Sequence, residues 1–153
     1  MLRARLTTEM KEAMKAGEKA KLATIRMIQA ALKDKDIEAR GLGKEPASDD
    51  EILALLQKMI KQRNESAAVY EQGGRPELAE NERAEISVIE TYLPKQMDEA
   101  ETQAAIDAAI AEAGAAGPKD MGKVIAILKG TYAGRMDFAK ASGLVKAALN
   151  AKA

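Results

Sequence analysis

Cysteine and histidine are both absent from the 153 residues of this sequence. Without cysteine the chain forms no disulfide and offers no thiolate, which fits a reducing compartment. Without histidine it lacks the commonest general base, the usual pH-sensitive side chain and the favoured transition-metal ligand. Nucleophilic catalysis of the Ser-His or Cys-His kind is therefore excluded within this chain.

Aromatic side chains and long apolar runs are scarce as well. The aromatic residues are Tyr70, Tyr92, Tyr132 and Phe138. Ala, Glu, Lys, Leu and Met dominate instead, and this composition favours helices over strands. No apolar run approaches the ~20 residues of a membrane span. The N-terminal stretch MLRARLTTEMKEAMKAGEK contains Glu9 and Glu12 and has no signal-peptide apolar block, so we expect a cytoplasmic protein.

The net charge is zero, but its sign changes along the chain. Residues 1–44 carry 11 basic and 6 acidic side chains, whereas residues 45–93 carry 5 and 11. Residues 96–118 contain five acids and no base, and residues 119–153 contain seven bases and two acids. The net charge of +5 makes this last segment a candidate for contact with a polyanion.

Apolar periodicity and helix-ending residues predict seven helices and no strand. The predicted helices span about residues 2–16, 18–40, 48–72, 76–93, 98–114, 118–130 and the segment from 137 onward. On the first helix, Leu2, Leu6, Met10 and Met14 are spaced by four and are expected on one buried stripe.

Two helix starts have the pattern of a capping box, in which the first residue and the acid three positions later bond to each other's backbone. They are Ser48 with Glu51 and Asp98 with Glu101. Pro94 ends the fourth helix and marks the change of domain. The sequence thus predicts an all-α fold, with a four-helix N-terminal part (1–93) and a three-helix C-terminal part (97–153).

Residues 117–124, GPKDMGKV, come within one residue of a phosphate-binding loop of the Walker A type. Val124 stands where that loop needs a magnesium-binding hydroxyl, and Pro118 removes one N–H from the cradle. The segment before it is also predicted to be a helix, whereas a phosphate-binding loop must follow a strand. Pro118 at a first helical position and Asp120 in the first turn are explained equally by an ordinary helix start. We therefore predict a helix here, and no nucleotide cofactor.

Carboxylates are grouped at Asp34 and Asp36 and again at Asp49, Asp50 and Glu51. The second group lies at a predicted helix start, where acids favour the positive end of the helix dipole. The first group alternates with lysines and is expected to form a solvated face. Neither group predicts a metal site or a catalytic residue.

The segment KVIAILKGTYAGRMDFAK, residues 123–140, interleaves basic and aromatic residues. They are Lys123, Lys129, Arg135 and Lys140 with Tyr132 and Phe138. Basic residues beside aromatics could hold a nucleic-acid backbone and stack a base. The alternative is that the phenylalanine belongs to the core and the lysines to exposed helix faces.

Three stretches resemble the GatB/YqeY family. They are IRMIQAALKDKDIEAR (25–40), LALLQKMIKQRNESAAVYEQGGRPELAENERAEISVIETYLPKQM (53–97) and KDMGKVIAILKGTYAGRMD (119–137). The family comprises small stand-alone bacterial proteins similar to the C-terminal tail region of the B subunit of the tRNA-dependent amidotransferase. The resemblance implies four N-terminal helices and three C-terminal ones.

The resemblance also implies a ligand, since the amidotransferase tail contacts the tRNA body. At the matching positions the candidate RNA-binding residues are Lys119, Lys123, Lys129, Gly134 and Arg135. The family usually has Gly where this chain has Phe138, which puts the local backbone geometry in question.

The family often carries the label of a carbon–nitrogen ligase with glutamine as amido-N-donor. That label describes the large enzyme, whose separate catalytic domain has no counterpart in this sequence, so we expect a binding protein rather than an enzyme. The partners implied are tRNA and an amidotransferase or another translation protein. The alternative is a protein-interaction module that docks through its third and fourth helices. The acidic, polar stretch NERAEIS (81–87) would then matter more than the lysines.

Overall fold

Residues 1–152, the part of the chain that this computed structural model describes, contain seven α-helices and one turn of 3₁₀ helix. No strand occurs in that part. The α-helices are α1 (Leu2–Ala16), α2 (Lys19–Gly41), α3 (Asp49–Gln72), α4 (Pro76–Glu90), α5 (Glu99–Ala113), α6 (Met121–Tyr132) and α7 (Phe138–Lys152). The all-α prediction is confirmed.

The chain divides into two compact units. The N-terminal unit comprises residues 1–93 with α1 to α4, and the C-terminal unit comprises residues 94–153 with α5 to α7. No helix within residues 1–152 is long and apolar enough to cross a membrane.

The helix starts and ends follow local chemistry. Ser48 and Asp98 each form the predicted capping box, with the backbone N–H of Glu51 donating to Ser48 Oγ at 3.2 Å and that of Glu101 to Asp98 Oδ1 at 2.7 Å. α1 ends at Gly17, whose positive φ of 72° lets its N–H turn back to the last carbonyls of the helix.

The N-terminal unit encloses one apolar core. α3 and α4 pack side by side, α2 contacts both, and α1 packs along α2. The core residues are Leu6, Ala13, Ile25, Ile28, Leu32, Ala47, Ile52, Leu56, Met59, Ile89 and Tyr92. The expected stripe on α1 is wrong at Met14, which is 51% exposed. Ala13 takes the buried position, because a spacing of four drifts off a face that repeats every 3.6 residues.

The C-terminal unit has its own core between α5, α6 and α7. Its buried residues are Ala105, Ile106, Ala109, Ile110, Ala115, Val124, Leu128, Met136, Ala141, Val145 and Leu149. Four of these eleven residues are alanines, and the Ala-rich α5 contributes two of them to the core. Pro118 begins a 3₁₀ turn, Pro118–Asp120, and α6 itself begins at Met121 and runs to Tyr132 rather than ending at Gly130.

Candidate nucleic-acid interface

α6 separates an apolar face from a basic one. Val124 and Leu128 are fully buried in the core of the C-terminal unit. Lys123 and Lys129 are exposed. Because each helical residue advances by about 100°, these two lysines lie about 60° to either side of Ala126. The outer face of α6 is therefore a strip bordered by a lysine on each side.

The strip between these lysines carries almost no side-chain bulk. Gly122, Ala126 and Gly130 are spaced by four along it, and all three are exposed. Apart from its chain neighbours and the backbone of the helix itself, a Cβ added at either glycine would meet no described atom within 4 Å. Packing within the C-terminal unit therefore does not require glycine there, although glycine inside a helix costs roughly 0.5–1 kcal/mol relative to alanine. The helix backbone is left open to close approach from outside.

Lys119 and Lys123 lie near one carboxylate. Asp120 accepts a hydrogen bond from the backbone N–H of Ala116 at 3.0 Å. This bond is the main reason that the pKa of Asp120 is lowered, and the two lysines lower the pKa further by their charge. The aspartate thus ties the 3₁₀ turn to the segment before it and offsets part of the local positive charge.

Gly134 and Arg135 lie in the turn that follows α6. Gly134 is buried, with a φ of 78°, and Arg135 is half-buried. Arg135 Nε donates to the carbonyl oxygen of Lys95 at 3.0 Å. The structure thus places Lys119, Lys123 and Lys129 on the exposed surface of the 3₁₀ turn and α6, and makes Gly134 a buried part of the turn that carries Arg135.

The aromatic residues of this region take part in packing. Tyr132 and Phe138 are half-buried, and both pack against the core of the C-terminal unit. This supports the core alternative for Phe138 over an exposed stacking platform. The sequence alone does not distinguish the two alternatives, because basic and aromatic residues at helical spacing fit either.

Asp36, expected on a solvated face, instead joins three segments of the N-terminal unit. Its two carboxylate oxygens accept from Arg3 Nη1 at 2.7 Å and Nη2 at 2.9 Å, and Oδ1 also accepts from the backbone N–H of Ala47 at 3.0 Å. The Arg3 bond first, and then the Ala47 bond, lower the pKa of Asp36 to about 2. The expectation was wrong because the partners lie 33 and 11 positions away in sequence.

Two more arginines act inside the N-terminal unit. Arg63 Nε donates to Glu85 Oε2 at 2.9 Å, which joins α3 to α4. Arg5 lies over the ring of Tyr92, with its Cζ 4.6 Å from the ring centroid. Burial of the Tyr92 hydroxyl, with Glu9 nearby, raises the pKa of this residue to about 12.

Ion pairs are distributed unevenly between the two units. All seven pairs within 4.0 Å found in residues 1–152 lie in the N-terminal unit. Within residues 94–152 no Lys or Arg has a carboxylate within that distance. The bases of this unit are Lys95, Lys119, Lys123, Lys129, Arg135, Lys140, Lys146 and Lys152. Four of the seven pairs join residues at least 12 positions apart and so depend on tertiary contacts, whereas the other three join residues within four positions of each other.

Comparison with known proteins gives a family match over nearly the whole chain. Residues 3–149 match the family described as Yqey-like protein. Curated proteins similar to this chain carry the name "Altered inheritance of mitochondria protein 41, mitochondrial".

Three of these proteins show the extent of the similarity. The protein from Pyrenophora tritici-repentis is 34% identical over 88 residues, which is 58% of this chain and 46% of that protein. The one from Eremothecium gossypii is 31% identical over 90 residues, 59% and 48%. The one from Clavispora lusitaniae is 34% identical over 97 residues, 61% and 54%. The matched region thus spans about half the length of these relatives.

Proposed function

We propose, from the premise that this chain belongs to the YqeY-like protein family, that it is a tRNA-binding accessory protein of the translation machinery. The surface proposed to hold the RNA is the outer face of α6 with the turns before and after it. An amidotransferase or another tRNA-handling enzyme is the class of protein that it would accompany. The proposed place of action of this chain is the cytoplasm. The word "mitochondrial" belongs to the names of its relatives.

The observation that carries this proposal is that ion pairs are found in the N-terminal unit, whereas the exposed lysines of α6 have none among the described residues. Lys123 and Lys129 are exposed, and neither has a carboxylate within 4.0 Å among the described residues, whereas the N-terminal unit pairs many of its charges. RNA offers a regular row of phosphates to such bases, and the release of its counterions drives binding. Resemblance to the amidotransferase tail, which contacts the tRNA body, supplies the class of RNA.

The shape of α6 supports phosphate contact. The strip of Gly122, Ala126 and Gly130 lets another backbone approach the helix directly, with Lys123 and Lys129 on its two sides. Each lysine would act as a point charge, whereas the planar guanidinium of Arg135 can donate two parallel hydrogen bonds to one phosphate. Such contacts position an RNA without reading its sequence.

The proposal is one of binding rather than catalysis. The chain has no His or Cys to act as base or nucleophile, and the ligase label of the wider family describes the larger amidotransferase. Purified protein incubated with glutamine, ATP and mischarged tRNA should therefore give no amidation. A rate that scales with protein concentration and survives further purification would overturn this part of the proposal.

The test of RNA binding is a triple charge reversal, Lys123→Glu, Lys129→Glu and Arg135→Glu. Affinity should fall to a similar degree for every tRNA tested, because phosphate contacts carry no sequence information. Each lost contact should also flatten the plot of log K against log salt concentration by about 0.7 to 0.9. Affinity and slope would be measured by fluorescence anisotropy over a salt series.

The matched control is Lys11→Glu, Lys15→Glu and Lys19→Glu, which changes the net charge equally at exposed positions of the N-terminal unit. This control should bind tRNA with little change in the slope. Equal losses in the two triple variants would mean that only overall charge matters. If the triple variant at Lys123, Lys129 and Arg135 is folded and binds tRNA with unchanged affinity, the proposed RNA surface is wrong.

A protein-docking module is the second candidate, and one observation favours it. Val69 on α3 is 65% exposed, in the unit whose residues 45–93 carry the acidic excess. A pull-down from lysate with and without nuclease separates the two functions. Partners that survive nuclease treatment and are lost on Val69→Lys would favour docking through α3 and α4, whereas nuclease-sensitive capture supports the RNA proposal.

A further inference from the structure

The turn between α6 and α7 has a defined geometry. The backbone N–H of Arg135 donates to the carbonyl oxygen of Tyr132 at 3.0 Å. Ala133 has φ −52° and ψ 129°, and Gly134 has φ 78°. These angles are those of a type II turn, which requires a positive φ at its third residue and so favours glycine there. Gly134 therefore fixes the direction in which the chain enters Arg135.

The segment that leads into the C-terminal unit holds this turn from the side. Gln96 Nε2 donates to the carbonyl oxygen of Gly134 at 2.6 Å and to that of Pro94 at 3.0 Å. The backbone N–H of Met97 donates to the carbonyl oxygen of Arg135 at 2.9 Å. The two peptide groups on either side of the Arg135 Cα are thus both hydrogen-bonded to residues 96 and 97.

The Arg135 side chain is held by the same segment. Its Nε donates to the carbonyl oxygen of Lys95 at 3.0 Å, and its terminal nitrogens have no partner in residues 1–152. A guanidinium has five N–H donors, so the Nε bond leaves four on the two terminal nitrogens. Two of these four donors, one on each terminal nitrogen, form the fork that matches two oxygens of one phosphate. The side chain is half-buried, which limits the orientations of this fork.

We infer that Gln96 is a positioning residue for phosphate binding by Arg135. By holding the Gly134 carbonyl, Gln96 keeps the turn and the 95–97 segment together, so that the Lys95 carbonyl can fix the Arg135 guanidinium before any ligand arrives. A side chain fixed in advance loses less conformational freedom on binding and so binds more tightly. The ligand class is a phosphate of an RNA backbone, and the inference rests on the proposed function.

The experiment is a double-mutant cycle with Gln96→Met and Arg135→Ala, read by tRNA affinity and its salt dependence. Methionine has a similar length but no N–H donor. Each single variant should raise Kd about tenfold, which corresponds to about 1.4 kcal/mol. The Arg135→Ala slope should be flatter by about 0.7 to 0.9. The double variant should bind no more weakly than Arg135→Ala alone, because Gln96 acts only through that arginine.

The controls keep this inference separate from the proposed function. Gln103→Met removes an exposed glutamine of α5, whose amide donates to Asp107 at 3.0 Å, and should leave Kd unchanged. In Gln96→Asn the amide is kept, but the side chain is too short to reach the carbonyl oxygen of Gly134. This variant replaces Gln96→Met in the cycle if Gln96→Met does not fold. If the wild type binds no tRNA, the proposed function and this inference both fall. If the wild type binds but Gln96→Met has no effect, or adds its full effect on top of Arg135→Ala, only the positioning role is overturned.

Discussion

Arg3 in the N-terminal unit and Arg135 in the C-terminal unit are the same residue type in opposite settings. Arg3 donates from both terminal nitrogens to Asp36 and from one of them to the Ala47 carbonyl at 2.9 Å. Arg135 donates from Nε alone to a backbone carbonyl and has no partner for its terminal nitrogens in residues 94–152. The terminal nitrogens of Arg3 are thus already hydrogen-bonded within its own unit, whereas those of Arg135 remain available to bind a ligand.

This difference extends to the two units as wholes. In the N-terminal unit, ion pairs connect neighbouring helices: Arg63 with Glu85 and Arg83 with Glu71 both join α3 to α4. In residues 94–152 the helices meet through Ile, Leu, Val and Ala, without an ion pair. Exposed ion pairs add only about 0–1 kcal/mol each, so a unit with an adequate apolar core can dispense with them. Its bases then remain available to an external polyanion.

Removal of core volume should have the largest effect and should affect the two units alike. Leu56 and Leu128 are both fully buried, one in each core. Leu56→Ala and Leu128→Ala should each cost about 2–5 kcal/mol, through lost burial and the cavity left behind. Because apolar packing carries this loss, it should change little between low and high salt in urea unfolding. A strongly salt-dependent loss at Leu128 would mean that charges also support the C-terminal unit.

Removal of Asp36 tests the other half of the comparison. Asp36→Ala leaves the N–H of Ala47, a residue only 5% exposed, without its acceptor. The loss of that bond and of the Arg3 pair should cost about 1–3 kcal/mol at neutral pH. Thermal unfolding measures it. Asp34→Ala is the matched control, because Asp34 is exposed and lies on the same helix, and it should stay within roughly ±0.5 kcal/mol.

The Asp36 contribution should also depend on pH in one direction. The pKa of this carboxyl is lowered from 3.8 to about 2 in the folded protein. A lowered pKa means that the contribution is present above the unfolded value and is lost as the pH falls through the folded one. The stability difference between wild type and Asp36→Ala should therefore be full near neutrality and shrink as the pH falls from about 4 to about 2. A constant difference over that range would show that the ionised carboxylate is not the stabilising species.

Local sequence chemistry predicted much of the fold. The capping boxes at Ser48 and Asp98 involve residues three apart, and both are confirmed. The buried faces of α2 and α6 follow from apolar spacing, as shown by Ile25, Ile28 and Val124. Such features depend on neighbours within one helical turn, and these are visible in the sequence. The 3₁₀ turn at Pro118 was missed, because proline is compatible with either helix type at a first position.

The tertiary roles of polar side chains could not be predicted in this way. Asp36 pairs with a residue 33 positions away, and Arg135 bonds to a carbonyl 40 positions away. Neither partner is indicated by spacing, since the bonds form only after the helices have packed. The interleaved basic and aromatic residues and the family resemblance both indicate Lys123 and Lys129 as RNA contacts, and their role is still a prediction. The structure adds their exposure and the bare strip between them.

The smallest effect expected concerns that strip, where stability and binding should change in opposite directions. Gly130→Ala places a methyl group in open space on a helix, so it should stabilise the protein by about 0.5–1 kcal/mol. If an RNA backbone lies against the strip, the same methyl group should weaken tRNA binding. The reverse control is Ala147→Gly on α7, which removes a methyl group from a position that is likewise exposed. It should lower stability by a similar amount without weakening tRNA binding. Thermal unfolding and tRNA titration of each variant give the two readouts. A Gly130→Ala protein that gains stability and binds tRNA as wild type does would show that the partner does not approach α6 at this point, and would restrict the contact to the lysine side chains.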